Sequence, residues 1–451
     1  MPMNGITPIK RLLSMIQSSD RANAYKLFFV AYMLKYEEIM CKQSFNGYGN
    51  QYFLEHIPHL IGKSIQNEDL ARYLSKLFTN EGITQIALEK EFKVLLDGSD
   101  VNVISDVFSL VNEFKITSLT RLKNMVTALL ENVEYIYKIP QSFFDVHDLI
   151  DYIKTKILQC DSNMTVYDGF CKLGASINAV ADGKATLYFQ DIEQSCIPVV
   201  LIITTILGNR IGQFSTESTF ANPIAANKYF DRIVLDPLLG MKIEKNIIHP
   251  ELAKEISINI SDAGVFAIQH AYHHLKDDGI AIVRVSAGVL SKGGHTQEIR
   301  KYFVDLNCID AVIWLPAYER SRNIANTALV VLRKNNRNDD IYMLDGGAYV
   351  RDIEGENTID KIKMDFPETY KSRTEKKGIS RSVQISEIIK NDYNLSPLRY
   401  VSEQSSYQTT VSREEIKDLQ DEYKSKFGEL EDCDERLNTI RKELFGGNIW
   451  K

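Results

Sequence analysis

Three aspartates that follow short apolar stretches are the residues of this sequence best suited to binding chemistry. Asp168 begins the segment Asp-Gly-Phe-Cys-Lys-Leu-Gly, which ends at Gly174, and Asp191 lies 23 residues after Asp168. Where a strand turns into a helix, glycine lets backbone amides approach a nucleotide, and an acid about 20 residues further on is the usual acceptor for ribose hydroxyls. The spacing predicts a nucleotide-type cofactor between Asp168 and Asp191, although many α/β domains carry such an acid by chance.

The third aspartate, Asp236, precedes a proline at the end of the apolar stretch Arg232–Leu235. A carboxylate accepts hydrogen bonds, and proline fixes the backbone of a turn so that its carbonyl is held in one direction. Asp236-Pro237 is therefore a candidate catalytic turn. Considered alone, the same residues also fit an ordinary turn that ends a strand.

Short apolar stretches alternate with helical ones from about residue 141 onwards, and this alternation must position the three aspartates. The predicted strands are Thr165–Tyr167, Thr186–Gln190, Arg232–Leu235, Ile280–Val285, Ala311–Leu315, Ala328–Leu332 and Ile341–Leu344. The predicted helices between them are Gly174–Ala181, Glu193–Leu207, Ala263–Leu275 and Thr296–Leu306. This pattern indicates a mostly parallel sheet covered on both faces, which binds ligands at the carboxyl ends of its strands.

Two helical regions flank the predicted sheet. Residues 1–140 carry apolar residues at three- and four-residue spacings, as from Tyr25 to Tyr36, which predicts an all-helical domain. Residues 403–451 contain a heptad-like apolar stripe from Ile416 to Leu444. That stripe fits either a helix that docks a partner protein or a helix packed on its own domain. We expect domains at 1–140, 141–402 and 403–451.

Composition indicates a soluble protein and limits what it binds through charge alone. The 451 residues include 53 Lys and Arg against 60 Asp and Glu, a net charge of −7, which argues against a stand-alone, charge-driven DNA binder. The six cysteines form no C-x-x-C pair, and the longest apolar run, Cys196–Leu207, is shorter than a membrane span of ~20 residues. We expect a cytoplasmic protein with reduced thiols and no membrane contact. His270, His273 and His274 are expected on a helix surface and not at a metal site.

Two longer segments resemble one known family. Gly279–Lys334 reads as a strand, a Gly-Val-Leu turn, a helix and two apolar strands, and Asn394–Val401 reads Asn-Leu-Ser-Pro-Leu-Arg-Tyr-Val. Together with the strand ends above, they look like the methyltransferase (M) subunits of type I restriction-modification systems, which are N6-adenine DNA methylases. The resemblance covers residues 141–402. It implies a Rossmann-like methyltransferase sheet of about seven strands and S-adenosylmethionine as cofactor. The implied partners are DNA and either a specificity subunit or another methylase-like subunit, which docks through residues 413–445.

The resemblance also implies roles around the cofactor. The family's Asp-Pro-Ala-Cys-Gly-Ser-Gly loop is matched at Asp168, Cys171 and Gly174, whereas Lys172 replaces the first loop glycine. A lysine adopts the left-handed conformation only at a cost in free energy, and its side chain could fill the cofactor's space. Asp191 is the implied ribose acceptor.

Two further cofactor residues follow from the resemblance alone. Phe144 matches the aromatic position of the family's Phe-Tyr-Thr-Pro segment, in which Asp145-Val146 replaces Thr-Pro. Glu217 corresponds to the residue that accepts from the amino group of the cofactor's adenine. The complete implied set for the cofactor is Phe144, Asp168, Cys171, Gly174, Asp191 and Glu217.

The implied catalytic residues are Asp236, Pro237 and Leu239. The family carries Asn-Pro-Pro-Phe or Asn-Pro-Pro-Tyr here, and related methylases carry Asp-Pro-Pro-Tyr. The target adenine leaves the duplex, its N6 amino group donates to the Asn or Asp side chain and the proline carbonyl, and the aromatic ring stacks on the base. Such stacking stabilises the complex by ~1–3 kcal/mol, which Leu239 lacks.

Two functions therefore remain open. The chain is either an active N6-adenine DNA methyltransferase subunit or a catalytically degenerate methylase-fold subunit that binds DNA or acts as a scaffold. Lys172, Asp145-Val146 and Leu238-Leu239 favour the second, whereas Asp168, Asp191 and Asp236-Pro237 favour the first. Methylation of RNA or of a small molecule on the same fold is a third reading.

Overall fold

Helices account for the amino-terminal part of the chain. The computed structural model describes residues 3–16, 20–44, 66–78, 85–131, 148–243, 247–248, 262–315, 327–348 and 358–401. Up to residue 131 it contains α1 (Met3–Met15), α2 (Arg21–Ser44), α3 (Asn67–Leu77), α4 (Gln85–Asp97), α5 (Val101–Glu113) and α6 (Leu119–Glu131). The predicted all-helical character is confirmed for these residues.

Strands and helices alternate in the second part. The strands are β1 (Thr165–Asp168), β2 (Thr186–Gln190), β3 (Arg210–Ser215), β4 (Phe230–Leu235), β5 (Leu275–Ser286), β6 (Ile309–Trp314), β7 (Thr327–Arg333), β8 (Asp340–Asp345) and β9 (Ser380–Gln384). The helices are α7 (Asp148–Leu158), α8 (Ala175–Ala181), α9 (Ile197–Leu207), α10 (Ala263–His273), α11 (Ala287–Ser291), α12 (His295–Asp305), α13 (Thr358–Ser372), α14 (Ile385–Lys390) and α15 (Leu398–Val401).

The strands of the described residues form one nine-stranded sheet in the order β3-β2-β1-β4-β5-β7-β6-β8-β9. Strands β3, β2, β1, β4 and β5 are parallel neighbours, and β6 is parallel to β8. Strand β7 runs antiparallel to both β5 and β6, and β9 runs antiparallel to β8. The predicted mostly parallel, Rossmann-like sheet is confirmed, with nine strands instead of about seven.

Both faces of this sheet are covered, as the apolar strands predict. In β4, Val234 packs into the hydrophobic cluster that includes the amino-terminal helices, whereas Ile233 and Leu235 pack into a second cluster with α10. Because successive side chains of a strand point to opposite faces, this alternation places one cluster on each side. The continuous apolar character of the central strands follows from this double burial.

Two strands escape prediction because they lie at the edges of the sheet. The exposed and half-exposed residues of β3 include Arg210 and Gly212, and β9 reads Ser-Arg-Ser-Val-Gln. An edge strand needs neither continuous apolar character nor strong alternation, so its sequence carries a weak signal.

Helices α2 and α9 join the helical region to the sheet. Residues 24–34 of α2 are buried all round, and α9 is apolar on every side. A helix without a polar face must be surrounded by other elements, and α2 contacts α5, α6 and α9. The run Cys196–Leu207 is thus part of the core. None of the helices in the described ranges is long and apolar enough to cross a membrane.

The expectation that the histidine cluster lies on a helix surface is wrong for two of its members. His270 of α10 and His274, which caps the carboxyl end of α10, are buried, and His270 Nε2 lies 3.0 Å from the Tyr167 hydroxyl. Burial lowers the pKa of His270 well below its ordinary value, so the ring is neutral. One face of α10 packs against the sheet, and its histidines serve as aromatic core residues.

The predicted domain boundaries stay predictions. Residues 132–147, which contain the boundary at 140, and residues 402–451, which contain the predicted docking helix 413–445, lie outside the described residues.

Candidate active site

The fold brings the three predicted aspartates to one edge of the sheet. Asp168 ends β1, Asp191 follows β2 directly, and Asp236 follows β4. These strands are neighbours in the order β2-β1-β4, so the chain leaves β1 toward one side and later returns to its other side. Ligands bind to open α/β sheets at such a reversal, outside the carboxyl ends of the strands.

The loop after β1 depends on two residues with left-handed backbone. Lys172 has φ +50° and Gly174 has φ +74°. The Gly174 N–H donates to the Cys171 carbonyl at 2.6 Å, and Gly174 caps α8. A Cβ atom at Gly174 would lie 2.6 Å from Val200 Cγ1, so glycine is required for both conformation and space. The predicted glycine turn into a helix is present, with a lysine in an unfavourable conformation beside it.

Asp191 ties this loop to the end of β2. Its Oδ2 accepts from the Lys172 N–H at 2.7 Å, and its Oδ1 accepts from the Glu193 N–H at 3.0 Å. The Cys171 N–H donates to the Gln190 carbonyl at 3.1 Å, which adds a third link. A carboxylate has about four acceptor positions, so Asp191 retains capacity for ribose hydroxyls while it holds the loop. These residues fit a nucleotide-type cofactor.

Asp168 is a buried carboxyl group at the centre of this edge. Its Oδ1 accepts from the Phe170 N–H at 2.9 Å. Burial raises its pKa to about 8, and the nearby charges of Asp236 and Asp191 act in the same direction, against the Phe170 hydrogen bond and Lys154. Asp168 is therefore largely protonated at neutral pH, which limits the negative charge collected at the site.

Asp168→Asn is expected to remove a pH dependence of stability. In the unfolded chain an aspartate loses its proton near pH 3.8, whereas native Asp168 keeps its proton up to about pH 8. Between these values native Asp168 binds more protons than the unfolded residue, so its contribution to the free energy of unfolding falls as pH rises. Asparagine retains an acceptor for Phe170 and does not titrate. Urea unfolding across this range measures the difference between the two proteins.

The control for this measurement is Asp161→Asn, which changes an exposed aspartate before β1. It should leave the slope of stability against pH unchanged. Equal slopes for wild type and Asp168→Asn would show that Asp168 is ionised in the native protein.

The Asp-Pro turn contains a partner that sequence reasoning missed. The ammonium of Lys154 in α7 forms a short ion pair with Asp236 Oδ2, and its side chain is 0% exposed. Asp236 Oδ1 is buried and has no hydrogen-bond partner among the described residues. Burial alone would raise the pKa of Asp236, but the charges of Lys154, Arg284 and Lys172 more than offset this and lower it. Asp236 is thus an ionised acceptor with one oxygen engaged.

A weak signal for Lys154 exists in the sequence. Ile150, Ile153 and Ile157 of α7 are buried at helical spacing, and Lys154 lies on the same stripe. A lysine on an apolar face is rarely buried unless a charge partner meets it. The partner, 82 positions away, could not be read from this pattern.

The other predicted site residues have simpler surroundings. Pro237 is buried, Leu238 is 44% exposed and Leu239 is half-buried. The exposed Glu217 follows β3 at the same edge, and Gln190 holds its loop by donating to the Glu217 carbonyl at 2.7 Å. Phe144 and its neighbours Asp145 and Val146 lie outside the described residues.

Comparisons with known proteins agree with this architecture. A model of the N-6 DNA methylase family matches residues 177–409, which is more than half of the chain. The Type I restriction enzyme MpnII methylase subunit of Mycoplasma pneumoniae is 28% identical over 190 residues, 38% of this chain and 35% of the relative. The MjaVIII methylase subunit of Methanocaldococcus jannaschii is 29% identical over 185 residues, 38% of this chain and 31% of the relative. The matched region is about a third of the length of these relatives.

Solved structures show the same fold at low sequence identity. The type I restriction-modification methyltransferase subunit from Streptococcus thermophilus superposes with a TM-score of 0.66 at 18% identity, covering 89% of this chain and 99% of that one. A chain from a structure on complex assembly and conformational transition of the type I R-M system gives 0.62 at 15% identity, covering 97% and 98%. With the family model spanning most of the sheet that carries Asp168, Asp191 and Asp236, this chain belongs to the N-6 DNA methylase family.

Proposed function

We propose that this chain is the N6-adenine DNA methyltransferase (M) subunit of a type I restriction-modification-like system. The observation that carries the proposal is the buried Asp236 carboxylate beside Pro237, one oxygen of which has no hydrogen-bond partner within the described part of the chain. An empty buried acceptor is unfavourable unless a ligand supplies a donor. The amino group of a flipped adenine is such a donor.

Membership of the family implies S-adenosylmethionine as the cofactor, which supplies the methyl group when it is bound. In the proposed reaction Asp236 Oδ1 accepts one N–H of the adenine amino group and the Pro237 carbonyl accepts the other. These two acceptors fix the amino nitrogen and leave its lone pair free for the incoming methyl group, a contribution from positioning. Leu239 provides an apolar surface for the base. Asp191 and the backbone of the Lys172 loop hold the cofactor side.

The chain carries a net charge of −7, so we assign target choice and much of the attraction for DNA to a specificity subunit. The segment 413–445 is the proposed docking helix for that subunit. The runner-up function is a catalytically degenerate subunit, favoured by Leu239 in place of an aromatic residue and by Lys172 in a left-handed loop position.

We expect the full chain, co-purified with a specificity subunit, to transfer label from methyl-labelled S-adenosylmethionine to DNA that lacks N6-methyladenine. Mass spectrometry of the digested DNA identifies the product. Leu239→Phe should raise the rate at low DNA concentration by a factor of about 5 to 150, because stacking adds ~1–3 kcal/mol. Leu306→Phe, at a surface leucine that is 40% exposed, is the matched control and should change nothing. Unlabelled DNA from both the wild type and Leu239→Phe would favour the degenerate subunit.

A further inference from the structure

We infer that Lys154 is a positioning residue that turns the Asp236 carboxylate into a single, fixed acceptor for the amino group of the base. The inference rests on the proposed function and adds a residue to it. Lys154 Nζ contacts Asp236 Oδ2, lies 2.9 Å from Ser176 Oγ and lies 3.6 Å from Asp151 Oδ1. An ammonium has three donors; two of them form hydrogen bonds, to Asp236 and Ser176, and Asp151 lies within ion-pair distance, so Lys154 Nζ is held from three sides.

Stability alone does not account for a charge at this position. Removal of two charges from water is costly, and replacing a buried ion pair by apolar residues is often neutral or stabilising. The neighbours of Lys154 along its stripe, Ile150, Ile153 and Ile157, are apolar. Its acidic neighbour Asp151 accepts a hydrogen bond from Ser176 Oγ that does not need the lysine. A methionine or leucine would suit that stripe at least as well. The lysine therefore points to a requirement at Asp236.

The proposed chemistry requires that the Asp236 carboxylate stay ionised although it is buried. Burial raises the pKa of Asp236, and the charge of Lys154 is the largest of the opposing effects. A protonated Asp236 would present an O–H donor to an amino group that also donates. With Lys154 in place, Oδ2 is engaged and Oδ1 remains the acceptor.

The charge balance of the pair also matches the ligand. Lys154 and Asp236 together are formally neutral, as is an exocyclic amino group of a nucleobase. The pair by itself thus offers one acceptor oxygen without a net charge, which suits a neutral N–H donor better than a cation or an anion.

The test is a double-mutant cycle with Lys154→Met, Asp236→Asn and the double variant, each measured for methyl transfer to DNA. In Asp236→Asn the ammonium captures the amide oxygen, so the amide NH₂ faces the base and methyl transfer should fall by a factor of about 100 or more. In Lys154→Met the rate should fall and should recover as pH rises, because the unpaired carboxylate has a higher pKa. In the double variant the amide oxygen is free to face the base, so the rate of methyl transfer should return to within about tenfold of the wild-type rate.

Protein stability provides a second readout that does not depend on activity. Each single variant leaves a buried polar or charged group without its partner and should lower the unfolding midpoint. The midpoint of the double variant should lie closer to that of wild type than the midpoint of either single variant does. Lys154→Met should also lose stability relative to wild type as pH rises above about 4, because Asp236 and the nearby Asp151 must then ionise without the ammonium. The same comparison in an Asp151→Asn background gives the part that belongs to Asp236.

The matched control is the exposed pair of Lys184 and Asp182, whose Nζ and Oδ2 atoms lie 2.7 Å apart with side chains 51% and 68% exposed. The same cycle there, Lys184→Met with Asp182→Asn, should show neither coupling nor a change in methyl transfer.

Three results would overturn the inference. The first is methyl transfer by Asp236→Asn at the wild-type rate. The second is a wild-type rate and pH profile in Lys154→Met. The third is a double variant that is stable but inactive, which would mean that the pair has only a structural role. Absence of methyl transfer by the wild type instead overturns the proposed function. In that case Lys154 is judged by stability: if Lys154→Met shows no loss of stability with rising pH, its control of Asp236 is refuted as well.

Discussion

Gly174→Ala is expected to lower the free energy of unfolding by about 2–5 kcal/mol and to abolish measurable binding of S-adenosylmethionine. Two effects add at this position. The backbone has φ +74°, which costs a residue with a Cβ about 1–2 kcal/mol. The new methyl group would lie 2.6 Å from Val200 Cγ1, an overlap in a packed core that typically costs about 1–3 kcal/mol.

Cofactor binding is lost in the same variant because the loop must move to relieve the overlap. The Gly174 N–H bond to Cys171 and the Cys171 N–H bond to Gln190 fix the loop against β2. A shift of the backbone at Gly174 therefore also displaces the amides beside Lys172. Chemical denaturation measures the stability, and isothermal titration calorimetry with S-adenosylmethionine measures the binding.

A second glycine separates the two effects. Gly378 has φ +73°, and a Cβ there would meet nothing within 4 Å. Gly378→Ala should therefore lower the free energy of unfolding only by the conformational cost of about 1–2 kcal/mol, and it should bind the cofactor normally. Val200→Ala introduced into Gly174→Ala should recover part of the lost stability. Equal destabilisation by Gly174→Ala and Gly378→Ala would contradict the role assigned to the Val200 contact.

Asp191→Ala is expected to weaken S-adenosylmethionine binding by a factor of roughly 10 to 150 or more. The carboxylate accepts from the N–H groups of Lys172 and Glu193, and hydrogen bonds to charged groups contribute about 1.5–3 kcal/mol each. Loss of one such bond to the cofactor already corresponds to this factor. Release of the loop adds to it, because the binding amides are no longer held in place.

The affinity of Asp191→Asn for S-adenosylmethionine should lie between the affinities of the wild type and the alanine variant. A carboxamide has one acceptor oxygen, so either Lys172 or Glu193 faces an NH₂ group and loses its bond. Calorimetric titration of the three proteins gives the order of affinities. The control is Asp182→Asn, an exposed residue at φ +48° where asparagine is well tolerated. Wild-type affinity in Asp191→Ala would remove Asp191 from the cofactor site.

Much of the fold could be predicted because its signals are local. The central strands are apolar along their length, since both faces are buried, and the glycines and aspartates at their ends mark the turns. The edge strands β3 and β9 were missed for the opposite reason: in the described residues each has a strand neighbour on one side only, so their residues need not be apolar. The predicted surface position of His270 failed because a histidine on a helix does not show which face the sheet will cover.

The sequence by itself determined which carboxylates end the strands and which glycine opens α8, since a turn and its flanking strand are neighbours in the chain. Only the tertiary structure decided how those groups are used. The pairing of Lys154 with Asp236 joins α7 to the end of β4 across 82 positions, and the link from Asp191 to Lys172 depends on the parallel register of β1 and β2. Contacts of this kind arise from packing. Burial keeps Asp168 protonated, whereas the positive charges that packing brings beside Asp236 keep that residue ionised. The chemistry available at the site is therefore a property of the folded chain.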